Sequence, residues 1–317
     1  MLRQFALGLS LASLLAVQAG AAPVDTFVTD RKYPPKLPDA KVETYKTVGD
    51  KKLAMYIFEP ADLKPSDKRP AIVFFFGGGW QNGSASQFAA QARYLASRGM
   101  VAFAADYRVG SRDGVKAVTC LTDAKSAIRW VRENAARLGV DPNRVVASGG
   151  SAGGHLAAAL GTIDEFDEPT ESLSISSKPN VMVLYNPAVA LARFEGMKAD
   201  PEREAAMPNR AGTDPVRLSP IHHLKKSTPP SLVLIGTADG LYPQCQLFAV
   251  ECERLGVRCD MDVWDDKPHG FFNATGTREK NEAFRKTTET VDRFLASLGY
   301  LQDEPTVETF DNWDGAK

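Results

Sequence analysis

Arg144-Val145-Val146-Ala147-Ser148-Gly149-Gly150-Ser151-Ala152-Gly153-Gly154-His155-Leu156 passes from a β-branched apolar segment, through a turn of glycines, into a run of small residues. The first part reads as a strand over Arg144 to Ser148 and the last as a helix through Leu160. A strand that turns directly into a helix is the repeating unit of a parallel sheet. Between them, Gly149 to Gly153 fits Gly-x-Ser-x-Gly. Such a sharp turn holds its serine in strained backbone, so the neighbours must lack bulk and the hydroxyl is pushed out above the sheet.

Outward from this turn the same alternation recurs. Upstream, Ala71 to Phe76 is a continuous apolar run stopped by Gly77-Gly78-Gly79, the pattern of a strand buried on both faces. Ser86 to Arg98 reads as helix, Met100 to Ala105 as strand, and Thr122 to Leu138 as a helix with Ala124, Ala127, Ile128 and Val131 on one stripe. Asp141-Pro142 reads as a turn. Before all of these, after an extended Pro-rich stretch (Tyr33 to Pro38), Val42 to Val48 and Lys52 to Phe58 alternate as a hairpin joined by Gly49-Asp50. Downstream, Val181 to Tyr185 and Leu232 to Ile235 are strands, Leu241 to Leu255 a helix, Asp260 to Trp264 a strand, and Asn281 to Leu298 the closing amphipathic helix. The expected fold is α/β: a mostly parallel central sheet with helices on both faces, over residues 42–298. Roughly 45 residues separate Tyr185 from the next strand, too many for a βα connection, so about 188–230 is expected to be a cap insertion, mobile or partly helical. The acidic tail, 299–317, is expected to pack loosely.

With 317 residues, 44% hydrophobic and 24% charged, the chain can bury a full core without repeats or disulfides. A net charge of -1 gives no broad field for a nucleic-acid backbone or an anionic membrane surface. Residues 1–22 read as a signal peptide, with Arg3, an apolar Phe5 to Val17 and Ala19-Gly20-Ala21, so a secreted or periplasmic product with no membrane segment after cleavage is expected. The four cysteines, Cys120, Cys245, Cys252 and Cys259, have no zinc-site spacing. Cys252 and Cys259 flank a short αβ turn and are expected to form a bridge, buried free thiols being the alternative.

Sheets of this kind place ligands at the carboxyl ends of their strands, and that criterion sorts the candidates. A serine hydroxyl needs a base. Of the four histidines, His155 lies one helical turn beyond Ser151, where it is expected to pack or hydrogen-bond locally, and His222 and His223 sit at the end of the insertion, where a capping or surface role is the commoner one. His269 stands in a loop directly after the last strand. Asp239, in Gly236-Thr237-Ala238-Asp239-Gly240 just past another strand, is the expected carboxylate, with Asp265 and Asp266 as solvated rivals. The order Ser151, Asp239, His269 is then nucleophile, orienting acid and base. Gly78, Gly79 and Ala152 are the expected backbone donors for a developing oxyanion, and Trp80, Tyr107 and Tyr242 the expected substrate-binding walls. A phosphate-binding reading of the Gly-rich turn lacks a Lys in the loop and a spaced Gly-x-Gly-x-x-Gly.

These residues, together with FFFGGGW, DYR at Asp106 to Arg108, GGSAGGHLA, GTADGLYP and HGFFN, resemble α/β-hydrolases of the hormone-sensitive-lipase and bacterial feruloyl or acetyl-xylan esterase type. The resemblance implies a serine carboxylic-ester hydrolase working through a Ser-Asp-His triad with no metal or cofactor, on a small-molecule or polysaccharide ester. One departure stands out: the family's HGGG has Phe76 in place of its histidine, which puts the support of the donor glycines in question. Two rivals are a prolyl-oligopeptidase-like peptidase, which normally carries a propeller domain that this chain has no room for, and a non-catalytic binding protein that kept the fold.

Overall fold

The computed structural model describes residues 33–274 and 281–314; the expected signal peptide lies outside them. In chain order the elements are β1 (Lys41–Val48), β2 (Lys51–Phe58), β3 (Arg69–Phe75), α1 (Ala89–Ser97), β4 (Val101–Ala105), α2 (Gly110–Asp113), α3 (Ala117–Glu133), β5 (Val140–Gly150), α4 (Ala152–Thr162), β6 (Val181–Tyr185), α5 (Pro201–Ala211), β7 (Ser231–Gly236), α6 (Tyr242–Arg254), β8 (Cys259–Trp264) and α7 (Glu282–Ser297). The strands form one eight-stranded sheet in the order β1-β2-β4-β3-β5-β6-β7-β8. β1 pairs antiparallel with β2, and β2 with β4; every other pairing is parallel.

Side-chain alternation along the inner strands builds two cores. In β3, Ala71, Val73 and Phe75 join α3, α4 and α6 on one face. Ile72 and Phe74 join α1 and α7 on the other. Both faces are apolar, which is why β3 reads as an unbroken hydrophobic run.

Several expectations change. α3 begins at Ala117, five residues before the expected Thr122, because Ala117, Cys120 and Leu121 extend the buried stripe of Ala124 upstream. It stops at Glu133, and Asn134 to Leu138 turn back toward the sheet. The expected Asp141-Pro142 turn is absorbed into β5 as an irregularity, where the partners of β3 jump from Arg69–Val140 to Ala71–Val145. The insertion carries one helix, α5, and a 3₁₀ turn over Pro220–His223.

The described part of the tail, through residue 314, is not loose. Leu301 and Val307 are buried, and Phe310 and Trp313 pack on the α1/α7 face, with Trp313 stacked on Tyr94 at 5.6 Å. The Trp313 carbonyl accepts from Arg93, and Arg98 donates to the Gln302 and Asp303 carbonyls. Apolar residues three apart among the acidic ones supply the burial that net composition hides.

The Cys252–Cys259 bridge is absent. All four cysteines are free, with Cys120, Cys245 and Cys252 buried. The Cys252 and Cys259 thiols share a hydrogen bond instead, which raises the pKa of Cys252 and lowers that of Cys259.

Candidate active site

β5 ends at Gly150 and α4 starts at Ala152, leaving Ser151 between them with φ 54° and ψ -114°. That backbone is strained for any residue with a Cβ. Neighbouring atoms enforce it: the Ser151 N–H donates to the Tyr185 carbonyl at the end of β6 (2.9 Å), and a Cβ on Gly153 would lie 2.0 Å from the Phe75 carbonyl oxygen. Only glycine at 153 lets α4 start that close to β3.

The candidates from three strand ends meet here. Ser151 Oγ lies 2.9 Å from His269 Nε2, and His269 Nδ1 lies 2.7 Å from Asp239 Oδ2. Asp239 Oδ1 accepts from the Leu241 N–H at 2.9 Å, so both carboxylate oxygens are engaged. The Asp239 side chain is 2% exposed and that of His269 45%, so the carboxylate is dry while the imidazole faces solvent. Nδ1 donates to the carboxylate, which leaves Nε2 free to accept from the serine hydroxyl. Asp265 and Asp266 are exposed, and Asp266 is held through its backbone by Thr237.

The glycine loop after β3 runs against the elbow. A Cβ on Gly77 would fall 3.3 Å from Ser151 Cβ. Gly77 itself is spoken for, its N–H donating to Gln87 Oε1 at 2.6 Å. Among the described residues neither Gly78 nor Gly79 gives its N–H to a backbone carbonyl. Ala152 is the first residue of α4, where an N–H has no intrahelical acceptor. Gly78, Gly79 and Ala152 thus have no backbone acceptor for their N–H groups among the described residues, and Ala152 follows Ser151 directly.

Phe76 does not leave the loop unsupported. Its ring stacks on Tyr107 at 4.0 Å between centroids, and the Tyr107 hydroxyl donates to the Phe76 carbonyl at 2.6 Å. Tyr107 is therefore fully buried and not a pocket wall, a correction to the expectation. The DYR tripeptide serves as loop support, with Arg108 gripping the buried Asp123 through two 2.8 Å bonds. Trp80 is also buried, at 4% exposure, because its indole N–H donates to His155 Nδ1 at 3.2 Å and its ring lies beneath the insertion. Tyr242, half-buried at the start of α6, keeps a place beside Asp239, whose carbonyl accepts its N–H.

His155 is internal. Nδ1 accepts from Trp80, so Nε2 carries the proton and donates to the Leu218 carbonyl at 2.8 Å. Burial pushes its pKa down to about 4, which keeps the ring neutral. Three residues that sequence reasoning missed complete the surroundings. Asn186, following β6, sets its side-chain nitrogen 3.0 and 3.1 Å from the two ring nitrogens of His269, a position only the ring face allows. Gln87 donates to Asn273 Oδ1 at 3.0 Å, and Asn273 donates to the Gly270 carbonyl at 2.8 Å, so one chain of bonds joins the glycine loop to the histidine loop. The only available signals were Asn186-Pro187 at a strand end and Asn273 closing HGFFN.

Sheet order and site together define the class: α/β-hydrolase esterases. The BD-FAE family model matches residues 55–251, more than half of the chain. An AB hydrolase superfamily protein of Schizosaccharomyces pombe is 25% identical over 248 residues, 73% of this chain and 71% of that protein. Carboxylesterase NlhH of Mycobacterium tuberculosis is 34% identical over 134 residues, covering 41% of this chain and only 40% of its own length. Thermogutta terrifontis esterase 2 phosphonylated by sarin is 48% identical, with 86% of this chain and 100% of that one covered at a TM-score of 0.82. Its butyrate-bound form matches at 47% identity, 87% and 100% coverage and the same TM-score. The chain belongs to the BD-FAE family of α/β-hydrolase esterases.

Proposed function

We propose that the protein hydrolyses carboxylic esters through an acyl-enzyme formed on Ser151, with His269 as base and Asp239 as the carboxylate that orients it. The observation that carries this reading is the unbroken chain Ser151 Oγ–His269 Nε2–Asp239 Oδ2, at 2.9 and 2.7 Å. His269 takes the hydroxyl proton as Oγ attacks the ester carbonyl, and the imidazolium is stabilised by the dry carboxylate. The N–H groups of Gly78, Gly79 and Ala152 receive the oxyanion, each contributing about 3 kcal/mol to the transition state. His269 returns the proton to the departing alcohol. Water then repeats the cycle to release the acid.

Phosphonylation of the 48%-identical Thermogutta esterase by sarin supports a nucleophilic site of this kind, and its propionate- and butyrate-bound forms support a short acyl group. Deacylation of a carbohydrate is the extension that the family resemblance favours, with Tyr242 as a wall of the pocket. Ser151→Ala should end turnover of p-nitrophenyl acetate with an unchanged circular dichroism spectrum; retained turnover would refute the assignment. Comparing acetylated xylan, feruloylated sugars and simple acetate and butyrate esters ranks the substrates. Export rests on residues 1–22, and the N-terminus of the mature protein recovered from periplasm or medium tests it. Among the described residues, no helix is long and apolar enough to cross a membrane.

A further inference from the structure

We propose that Arg210 selects esters that carry a carboxylate a few bonds from the scissile carbonyl. This deepens the function proposed above and rests on that reading. Arg210 lies in the last turn of α5, and the insertion sets it over the glycine loop. Its guanidinium carbon is 5.4 Å from the centre of the Trp80 ring, and Nη2 is 3.4 Å from the Gly79 carbonyl oxygen. Trp80 is itself held by the buried His155, so the cation rests on an anchored surface. The group is nevertheless exposed, and the single bond to Gly79 is long.

The arginines around it are spent differently. Arg193 and Arg217 pair with Glu204 and Glu165, and Arg203 donates to the Ala190 carbonyl at 2.6 Å. Among the described residues no carboxylate pairs with Arg210, and the residue is exposed. A planar fork of this kind matches the two oxygens of a carboxylate, which can pair with it through two parallel N–H bonds.

Distance ties the cation to the chemistry. Backbone N and O of one residue are at most about 3.6 Å apart, so Arg210 Nη2 lies within about 7 Å of the Gly79 N–H. An ester whose carbonyl oxygen occupies that donor can reach the guanidinium with a carboxylate on either its acyl or its alcohol side. Half-esters of dicarboxylic acids and acyl esters of sugar acids both belong to this class.

Two pairs of near-isosteric esters test it by pH-stat: monoethyl succinate against ethyl butyrate for the acyl side, and acetoxyacetate against propyl acetate for the alcohol side. The readout is the ratio of kcat/KM, charged over neutral, within each pair. In at least one pair Arg210→Gln should lower the ratio at least about fivefold, the loss of one charge-assisted bond. Arg210→Glu should lower it further, and added NaCl should erode it in the native protein but not in Arg210→Gln. Ratios that stay within about twofold in both pairs, even if all rates fall together, would make Arg210 a brace for Trp80 and overturn the proposal. Failure of the native enzyme to cleave either neutral ester would instead defeat the ester-hydrolase reading beneath it.

Discussion

Ser151, Asp239 and His269 stand one, three and five residues past the end of a strand, and that placement made them readable before any contact was known. A strand end followed by Gly-x-Ser, Asp-Gly or His-Gly has few structural uses, so residue type and position reinforce one another. Asp239→Asn should lower kcat by about 10⁴ while leaving the backbone unchanged, because the amide favours the wrong imidazole tautomer; a loss below tenfold would point to another acid. Gln87, Asn186 and Asn273 were not legible, since an amide side chain has no motif and acquires its role only from loops that are far apart in sequence. His155 illustrates the opposite case, a histidine expected to pack or hydrogen-bond locally. Its native pKa of about 4 lies below the unfolded value of about 6.5. The unfolded chain therefore takes the proton first as pH falls, so the stability that the neutral ring contributes is complete above about pH 6.5 and is lost toward pH 4. The loss is on the order of 3 kcal/mol. His155→Gln should flatten the pH dependence of Tm across that window, and an unflattened profile would remove His155 as its source.

At the scale of elements, the buried parallel strands were the most legible part, because continuous apolar runs bounded by glycine have one reading in a two-faced sheet. The start of α3 was missed for a local reason: Cys120 and Leu121 continue the stripe, but Thr119 and Thr122 interrupt the hydrophobic pattern. The loops carry more than their composition shows. The glycine loop is fixed from below by the Tyr107 hydroxyl and from the side by Gln87, which also reaches the histidine loop through Asn273. Phe76 therefore costs the loop little, although sequence comparison flagged it. Gln87→Met removes the acceptor for Gly77 and the donor to Asn273 at once. It should lower kcat by about 10- to 100-fold, the scale of a small misplacement of reacting groups, with Tm within a few degrees of the native value. A double-mutant cycle with Asn273→Ala should give less than additive losses; additive losses would mean the two loops are positioned independently.

Across the whole molecule, two cores on opposite faces of one sheet place the candidate site at the carboxyl ends of its strands and the stabilising contacts elsewhere. The tail belongs to the second group. Composition marked it as acidic and loose, yet Val307, Phe310 and Trp313 close the α1/α7 face and Thr306 donates its N–H to the Tyr94 hydroxyl. Truncation before Gln302 should lower Tm by at least about 5 °C, given the area re-exposed, and an unchanged Tm would show the tail contributes nothing to stability. The cysteines likewise belong to the cores, so thiol titration of the unfolded, unreduced protein should find four free thiols. The central claim is that Ser151 is the nucleophile, and the most direct measurement is peptide mass mapping after exposure to paraoxon, which phosphorylates the related Thermogutta esterase. We expect a single diethylphosphoryl adduct on the peptide containing Ser151, formed in step with the loss of ester turnover and absent from Ser151→Ala. Turnover lost with Ser151 unmodified, or an adduct that persists in Ser151→Ala, would contradict the account.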